Sequence, residues 1–318
     1  MKSFRQLDRD IAGFLTFKRA RGHPYHRGAF MLRSLRRYAA AHAGAGRRID
    51  LDRVMRGWLT RAEGRKPVTV TVELGVLRQF CVFRRRSDPR ALVPGRDWAP
   101  QATVSAFLPH IFSPAELGQL LRGAARWRGP HLRAVTLRTL LVILYCTGLR
   151  PGEAVRLDVS DVDLDQQYFR IRESKGRTRL VPFGDDLAGV VRDYLRERAR
   201  GSQASATGPL LVRPDGRGLS PSTAWAWMTR LFRRAGLKPP AGRHGPRPYD
   251  IRHTFAVHRL TAWYRAGVDV HARFPWLSAY MGHDDLLGTE AYLMATPELI
   301  ALAGHRFARR FRTAEPGR

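Results

Sequence analysis

A chain of 318 residues is long enough for two domains, and its formal net charge of +29 is a surplus that a compact fold tolerates poorly unless a polyanion neutralises it. Two cysteines, Cys81 and Cys146, both in apolar surroundings, argue against a disulfide-stapled exported scaffold, and the longest apolar run, Leu140 to Cys146, is too short to span a bilayer. The sequence opens on a charged helix pattern rather than an apolar leader, so a cytoplasmic protein is expected, with nucleic acid as the first candidate partner and an anionic membrane surface as a distant second.

Residues 1–86 read as a bundle of about four helices. Leu7, Ile11, Phe14 and Leu15 recur at helical spacing, as do Phe30, Leu32, Leu35 and Tyr38, then Val54, Trp58 and Leu59, then Val72, Val76, Leu77, Phe80 and Phe83. Arg21-Gly22-His23-Pro24 and Gly44-Ala45-Gly46 break the pattern between them. From 87 to 112 the period is lost among Pro89, Pro94, Gly95, Pro100 and Pro109, which predicts an interdomain linker. Ser113-Pro114-Ala115-Glu116 is a helix start, with Ser as N-cap, Pro at the first helical position and Glu three residues after the cap.

Residues 113–312 read as a second, larger domain, and 313–318 as a polar tail. The domain is mainly helical, with one strand region: Asp161 to Leu164, Tyr168 to Arg172 and Arg177 to Phe183 alternate, and Ser174-Lys175-Gly176 makes a turn. The fold class is therefore mainly α with a small antiparallel β-sheet (α+β). Asp161, Asp163 and Asp165 read as solvated edge residues rather than magnesium ligands.

Four stretches carry candidate chemistry. An apolar helix ends at Thr147-Gly148 and another begins at Pro151, which sets Arg150 on a sharp turn at a helix N-terminus, where backbone N–H groups are expected to point outward; Glu153, one turn on, is placed to hold Arg150 or the backbone. Lys175 sits at the hairpin tip, where a flexible ammonium can enter a groove and donate a proton. Asp250 reads as the N-cap of a helix to about Tyr264, which puts Arg252 and His253 in its first turn. Cations there oppose the helix dipole, a local conflict that points to a functional role. Finally Gly282 allows a tight turn, His283 follows, and Tyr292 comes nine residues later. Each residue alone also has an ordinary reading: Arg150 as a surface arginine, Lys175 as a solvated turn residue, His283 as a cap, Tyr292 as core. Together they suit attack on one phosphodiester, with arginines gripping non-bridging oxygens, a lysine protonating the departing alkoxide, a histidine hydrogen-bonding phosphate and a tyrosine as nucleophile.

In their order and spacing these pieces resemble the tyrosine recombinase (phage integrase) family: Thr147-Gly148-Leu149-Arg150-Pro151-Gly152-Glu153, the hairpin Lys175, Asp250-Ile251-Arg252-His253-Thr254-Phe255-Ala256, Gly282-His283, and Tyr292. The flanking residues look similar to recombinases of transposon-like or recombinase-trio elements. The resemblance implies a site-specific recombinase that cuts and rejoins double-stranded DNA through a 3′-phosphotyrosyl link, with no metal, cofactor or nucleotide. It also implies self-association on DNA as dimer or tetramer, and leaves partner recombinases, a type IB topoisomerase-like activity and a non-catalytic DNA-binding homologue open. Residues 296–302 look like a short apolar helix that packs on a neighbouring protomer or on its own domain. One position departs from the family: Tyr249 stands where a histidine three residues before Arg252 is usual. A phenol donates a hydrogen bond but is a poor base near neutral pH. His253 and His244 are the candidates to compensate.

Overall fold

The computed structural model describes residues 2–22, 25–42, 48–100, 109–174, 177–242, 244–282, 300–302, 304, 305 and 308. The chain forms two compact units, Met1–Phe107 and Leu108–Arg318.

In the first unit the described helices are α1 (Phe4–Ala20), α2 (His26–His42), α3 (Leu51–Leu59) and α4 (Pro67–Arg84). Their starts follow from local chemistry. Ser3 caps α1 by accepting from the Gln6 N–H, Asp50 caps α3 by accepting from Asp52 and Arg53, and Pro67 opens α4. A short antiparallel ladder pairs β1 (Lys2–Ser3) with β2 (Arg48–Ile49). Phe14, Leu32, Leu35, Trp58, Leu77 and Phe80 fill the core. Phe30, counted in the periodic set of α2, is 60% exposed instead; Met31 takes the inward position beside Leu32 and Leu35. Within the stretch read as linker, Ala91 and Ala99 are buried and the Arg56 guanidinium lies 3.7 Å from the Trp98 ring centroid, so residues up to 99 pack on this unit.

The second unit contains α5 (Pro114–Ala125), α6 (His131–Thr147), α7 (Pro151–Ala154), β3 (Val162–Asp163), β4 (Tyr168–Ser174), β5 (Arg177–Pro182), α8 (Asp185–Gly201), α9 (Pro221–Arg234), α10 (Asp250–Arg265) and α11 (Val270–Met281). The expected capping box is present: Ser113 Oγ accepts from Glu116 N–H at 3.2 Å and the Glu116 carboxylate accepts from Ser113 N–H at 2.7 Å. Helix α6 is apolar on nearly every side because it is the central element, packed against α5, α8 and α10. The three strands form an antiparallel sheet in the order β3-β4-β5. Phe169 faces Val181 and Ile171 faces Arg179 across the β4–β5 pair. A smaller apolar cluster, including Phe255, Leu260, Val270, Phe274 and Met281, locks α10 to α11. This unit is mainly helical with one small antiparallel sheet among its described residues. No helix among the described residues is long and apolar enough to cross a membrane.

Two local expectations are corrected. Asp161 is buried rather than solvated: its carboxylate accepts from the Asp158 N–H and from Arg172 Nε, so it staples the turn before β3 to β4. Asp250 is the first residue of α10 and not its cap. The residue before the helix is Tyr249, in helical geometry, and the buried Asp250 carboxylate turns back to accept from the Arg247 N–H (2.8 Å) and guanidinium (2.9 Å).

Candidate active site

The site grows from three helix ends. Helix α6 stops at Gly148, whose left-handed backbone (φ 61°, ψ 19°) directs its N–H back to the Leu144 carbonyl. A Cβ at this position would come within 2.3 Å of the Phe255 ring, so glycine is required both by conformation and by the close crossing of α10. Two residues later Arg150 precedes α7. Its backbone N–H does not point outward as expected, because Glu153 Oε2 accepts it at 3.0 Å, while Glu153 Oε1 accepts from Arg150 Nη1 at 2.8 Å. With only the four residues Pro151–Ala154 in α7, the macrodipole is slight. The positive character of this turn comes from the guanidinium.

Arg252, in the first turn of α10, is 1% exposed. The conflict with its own helix dipole is resolved over distance: Nη1 donates to Gly148 O (2.6 Å) and Nη2 to Met281 O (2.7 Å), the C-terminal carbonyls of two other helices. Those carbonyls have no partner within their helices and carry the negative ends of the dipoles, where a cation is favourable. Arg150 Nη2 donates to the next carbonyl, Gly282 O, at 2.8 Å. The preceding one, Tyr280 O, accepts from Arg179 Nε at 3.1 Å. Three arginines from three separate elements thus cap consecutive carbonyls at the end of α11, immediately before residue 283.

Glu153 ties this group together. Its side chain is 1% exposed, between Arg150 at 20% and Arg179 at 15%. Arg179 Nη2 and Nη1 donate to its two oxygens at 2.9 and 3.3 Å. Two guanidiniums share one carboxylate, so the cluster keeps net positive charge. Burial works against the charge on Arg150, but the hydrogen bond and charge of Glu153, together with the Tyr249 hydroxyl hydrogen-bonded to it, outweigh that and raise its pKa above the ordinary arginine value.

Tyr249 therefore stands within the Arg150 group, its ring edge-on to His253 with centroids 5.1 Å apart. Burial pushes the His253 imidazole down to about 4, helped by Arg247 and Arg252 against the opposing Asp250 charge. It is neutral near pH 7, so it is no proton donor there. The His244 ring is exposed, and its backbone carbonyl is held by Lys238 Nζ at 2.6 Å. Lys175, His283 and Tyr292 lie outside the described residues, as do 296–299 of the expected final helix. Of the other sequence-derived candidates, Arg150, Glu153, Tyr249 and Arg252 converge, with His253 behind Tyr249. Among the described residues no group of three or more His, Cys, Asp or Glu side chains comes together as a metal site would require.

Arg179 is the member that sequence reasoning missed. The signal is in the strand alternation: Arg179 and Val181 share a face, Val181 is fully buried, and Leu180 between them is 54% exposed. An arginine in register with core residues, beside a leucine pointing outward, marks a buried ionic partner.

Comparison with known proteins gives the family and the fold. Residues 112–298 match the family model described as "Phage integrase family". The chain is 35% identical over 260 residues to "Putative integrase/recombinase y4rB" of Sinorhizobium fredii (strain NBRC 101917 / NGR234), covering 80% of this chain and 82% of that protein. It is 30% identical over 193 residues to "Tyrosine recombinase XerC" of Roseiflexus castenholzii (strain DSM 13941 / HLO8), covering 59% and 56% respectively. The fold is similar to that of the Tn1549 transposon integrase in complex with a circular-intermediate DNA, with a TM-score of 0.66 at 16% identity, over 96% of this chain and 100% of that one. The matched span contains every element that carries the arginine cluster, and the chain belongs to the phage integrase family, the tyrosine-type site-specific recombinases.

Proposed function

We propose that this protein cuts and rejoins double-stranded DNA through a covalent phosphotyrosyl intermediate. The observation that carries the reading is the convergence of Arg150 and Arg252, from distant segments, on the carbonyls of Gly282 and Met281. That grip sets the start of the segment holding His283 and Tyr292. In the first step the Tyr292 hydroxyl gives up its proton to solvent as its oxygen attacks a backbone phosphorus, the P–O5′ bond breaks, and the Lys175 ammonium gives a proton to the departing 5′-oxygen. The product is a 3′-phosphotyrosyl link and a free 5′-hydroxyl. A 5′-hydroxyl from a second strand reverses the step. The phosphotyrosyl bond conserves the energy, so the reaction needs neither ATP nor a metal ion.

Arg150 is the direct contact for charge that builds on the non-bridging oxygens, and removal of one such preorganised donor typically costs about 100- to 1,000-fold in rate. Arg252 contributes charge from behind and fixes the ends of α6 and α11. His283 and Tyr249 donate hydrogen bonds to the phosphate, and Tyr249 takes over the phosphate contact of the family's usual histidine. Glu153 orients Arg150, and His253 packs behind Tyr249. The protein acts in the cytoplasm and assembles on DNA as a dimer or tetramer, alone or with partner recombinases; the flanking motifs favour a mobile-element integrase.

Tyr249 also favours a second reading, a homologue that binds DNA without cutting it. A nicked duplex from the DNA flanking the gene of origin separates the two. A covalent protein–DNA adduct that disappears in Tyr292→Phe supports the enzyme. No adduct with retained binding supports the binder, and plasmid relaxation without synapsis would point to a topoisomerase.

A further inference from the structure

Arg179 belongs to none of the motifs that assemble the site, yet it touches two of them, at Glu153 and at the end of α11. Its position opposite Ile171 turns it toward the interior. From there it donates to both Glu153 oxygens and to Tyr280 O. A Cβ on Gly282 would approach its Nη1 to 2.7 Å, so the α11 terminus and the Arg179 guanidinium are in close contact. A carboxylate as buried as that of Glu153 draws little help from solvent and depends on its guanidinium partners. Were Arg150 its sole cationic partner, the pair would be neutral, and the field of Arg150 on an approaching phosphate would be largely cancelled at short range. Sharing the carboxylate between Arg150 and Arg179 leaves these three side chains with a net positive charge while Arg150 Nη1 remains anchored.

We infer that Arg179 is a positioning residue for phosphodiester cleavage: it offsets the charge of buried Glu153 and so keeps Arg150 both oriented and attractive to the scissile phosphate. The inference rests on the cleavage reading proposed above. It makes the Arg179–Glu153–Arg150 chain an electrostatic device as well as a cap on α11, and the two roles are separable. If counter-charge is what matters, a neutral side chain at 153 removes the need for Arg179. If Arg179 is only a cap, neutralising 153 changes nothing.

The test uses the full chain and a nicked duplex cut from the DNA flanking the gene of origin. Single-turnover adduct rates and DNA affinity are measured for wild type, Arg179→Met, Glu153→Gln and the double variant. Arg179→Met is expected to slow adduct formation on the order of 100-fold, the scale of a small misplacement of a catalytic group, with the loss in rate rather than in affinity. The double variant is expected to cleave within about threefold of Glu153→Gln alone, a coupling that an unlinked pair would lack. An Arg179→Met enzyme as fast as wild type overturns the inference, as does a double variant much slower than Glu153→Gln alone. Should Arg179→Met fail to fold, the comparison of Glu153→Gln with the double variant decides alone: similar rates support the inference, and a further large drop refutes it. A wild-type protein that forms no adduct defeats the cleavage reading and this inference with it, an outcome distinct from all the others.

Discussion

Replacing Arg252 by methionine isolates what its guanidinium contributes to folding, because methionine keeps the length and packing of the stem. Two bonds are lost, to Gly148 O and Met281 O, at 2.6 and 2.7 Å, from a side chain that is 1% exposed. Hydrogen bonds to a charged group contribute about 1.5–3 kcal/mol each, so the second unit should lose about 3–6 kcal/mol. For a unit of this size that corresponds to a fall in Tm on the order of 10 °C. Arg150→Met should cost less stability, since Arg150 is 20% exposed and the Glu153 carboxylate keeps Arg179 as a partner. The assay is calorimetry or denaturant unfolding followed by circular dichroism, with the transition of the second unit read for each variant. A Tm within about 2 °C of wild type for Arg252→Met, or a larger loss for Arg150→Met, would refute the account of Arg252 as the clasp between α6 and α11.

Binding to duplex DNA should weaken steeply with salt, as phosphate contacts release counterions; a flat plot of log K against log salt contradicts a phosphate-dominated interface. His253 makes stability pH-dependent in a defined direction. Its folded pKa of about 4 lies below the ordinary histidine value, so its contribution is fully present above about pH 6.5 and is lost as pH falls toward 4, when the unfolded chain takes up the proton first. His253→Gln should flatten the Tm profile between those limits, and an unchanged slope would count against a buried neutral imidazole. Gly282→Ala should lose about 1–2 kcal/mol from its left-handed backbone (φ 68°), and more from contact with Arg179, with adduct formation falling further than DNA affinity.

Local chemistry made much of the fold legible. Ser113-Pro114-Ala115-Glu116 encodes its own capping box, Thr147-Gly148 its own stop, and the alternation around 168–183 its own hairpin, because each depends on neighbours a few residues away. The same reasoning placed Arg150 and Arg252 on turns and first turns. It erred where tertiary packing decides: Phe30 faces outward while Met31 beside it is buried, and Asp161 is buried because Arg172 comes to it from the next strand.

The sequence by itself determined the helical periods, the caps, the small sheet and the residue types suited to phosphate. Tertiary structure alone decided that Arg252 serves helix ends 104 and 29 residues away, that Arg150 reaches 132 residues to Gly282, and that Arg179 completes the Glu153 carboxylate. The physical reason is that hydrogen-bond direction and shared charge depend on where separate elements finish in space, which short-range propensity does not encode.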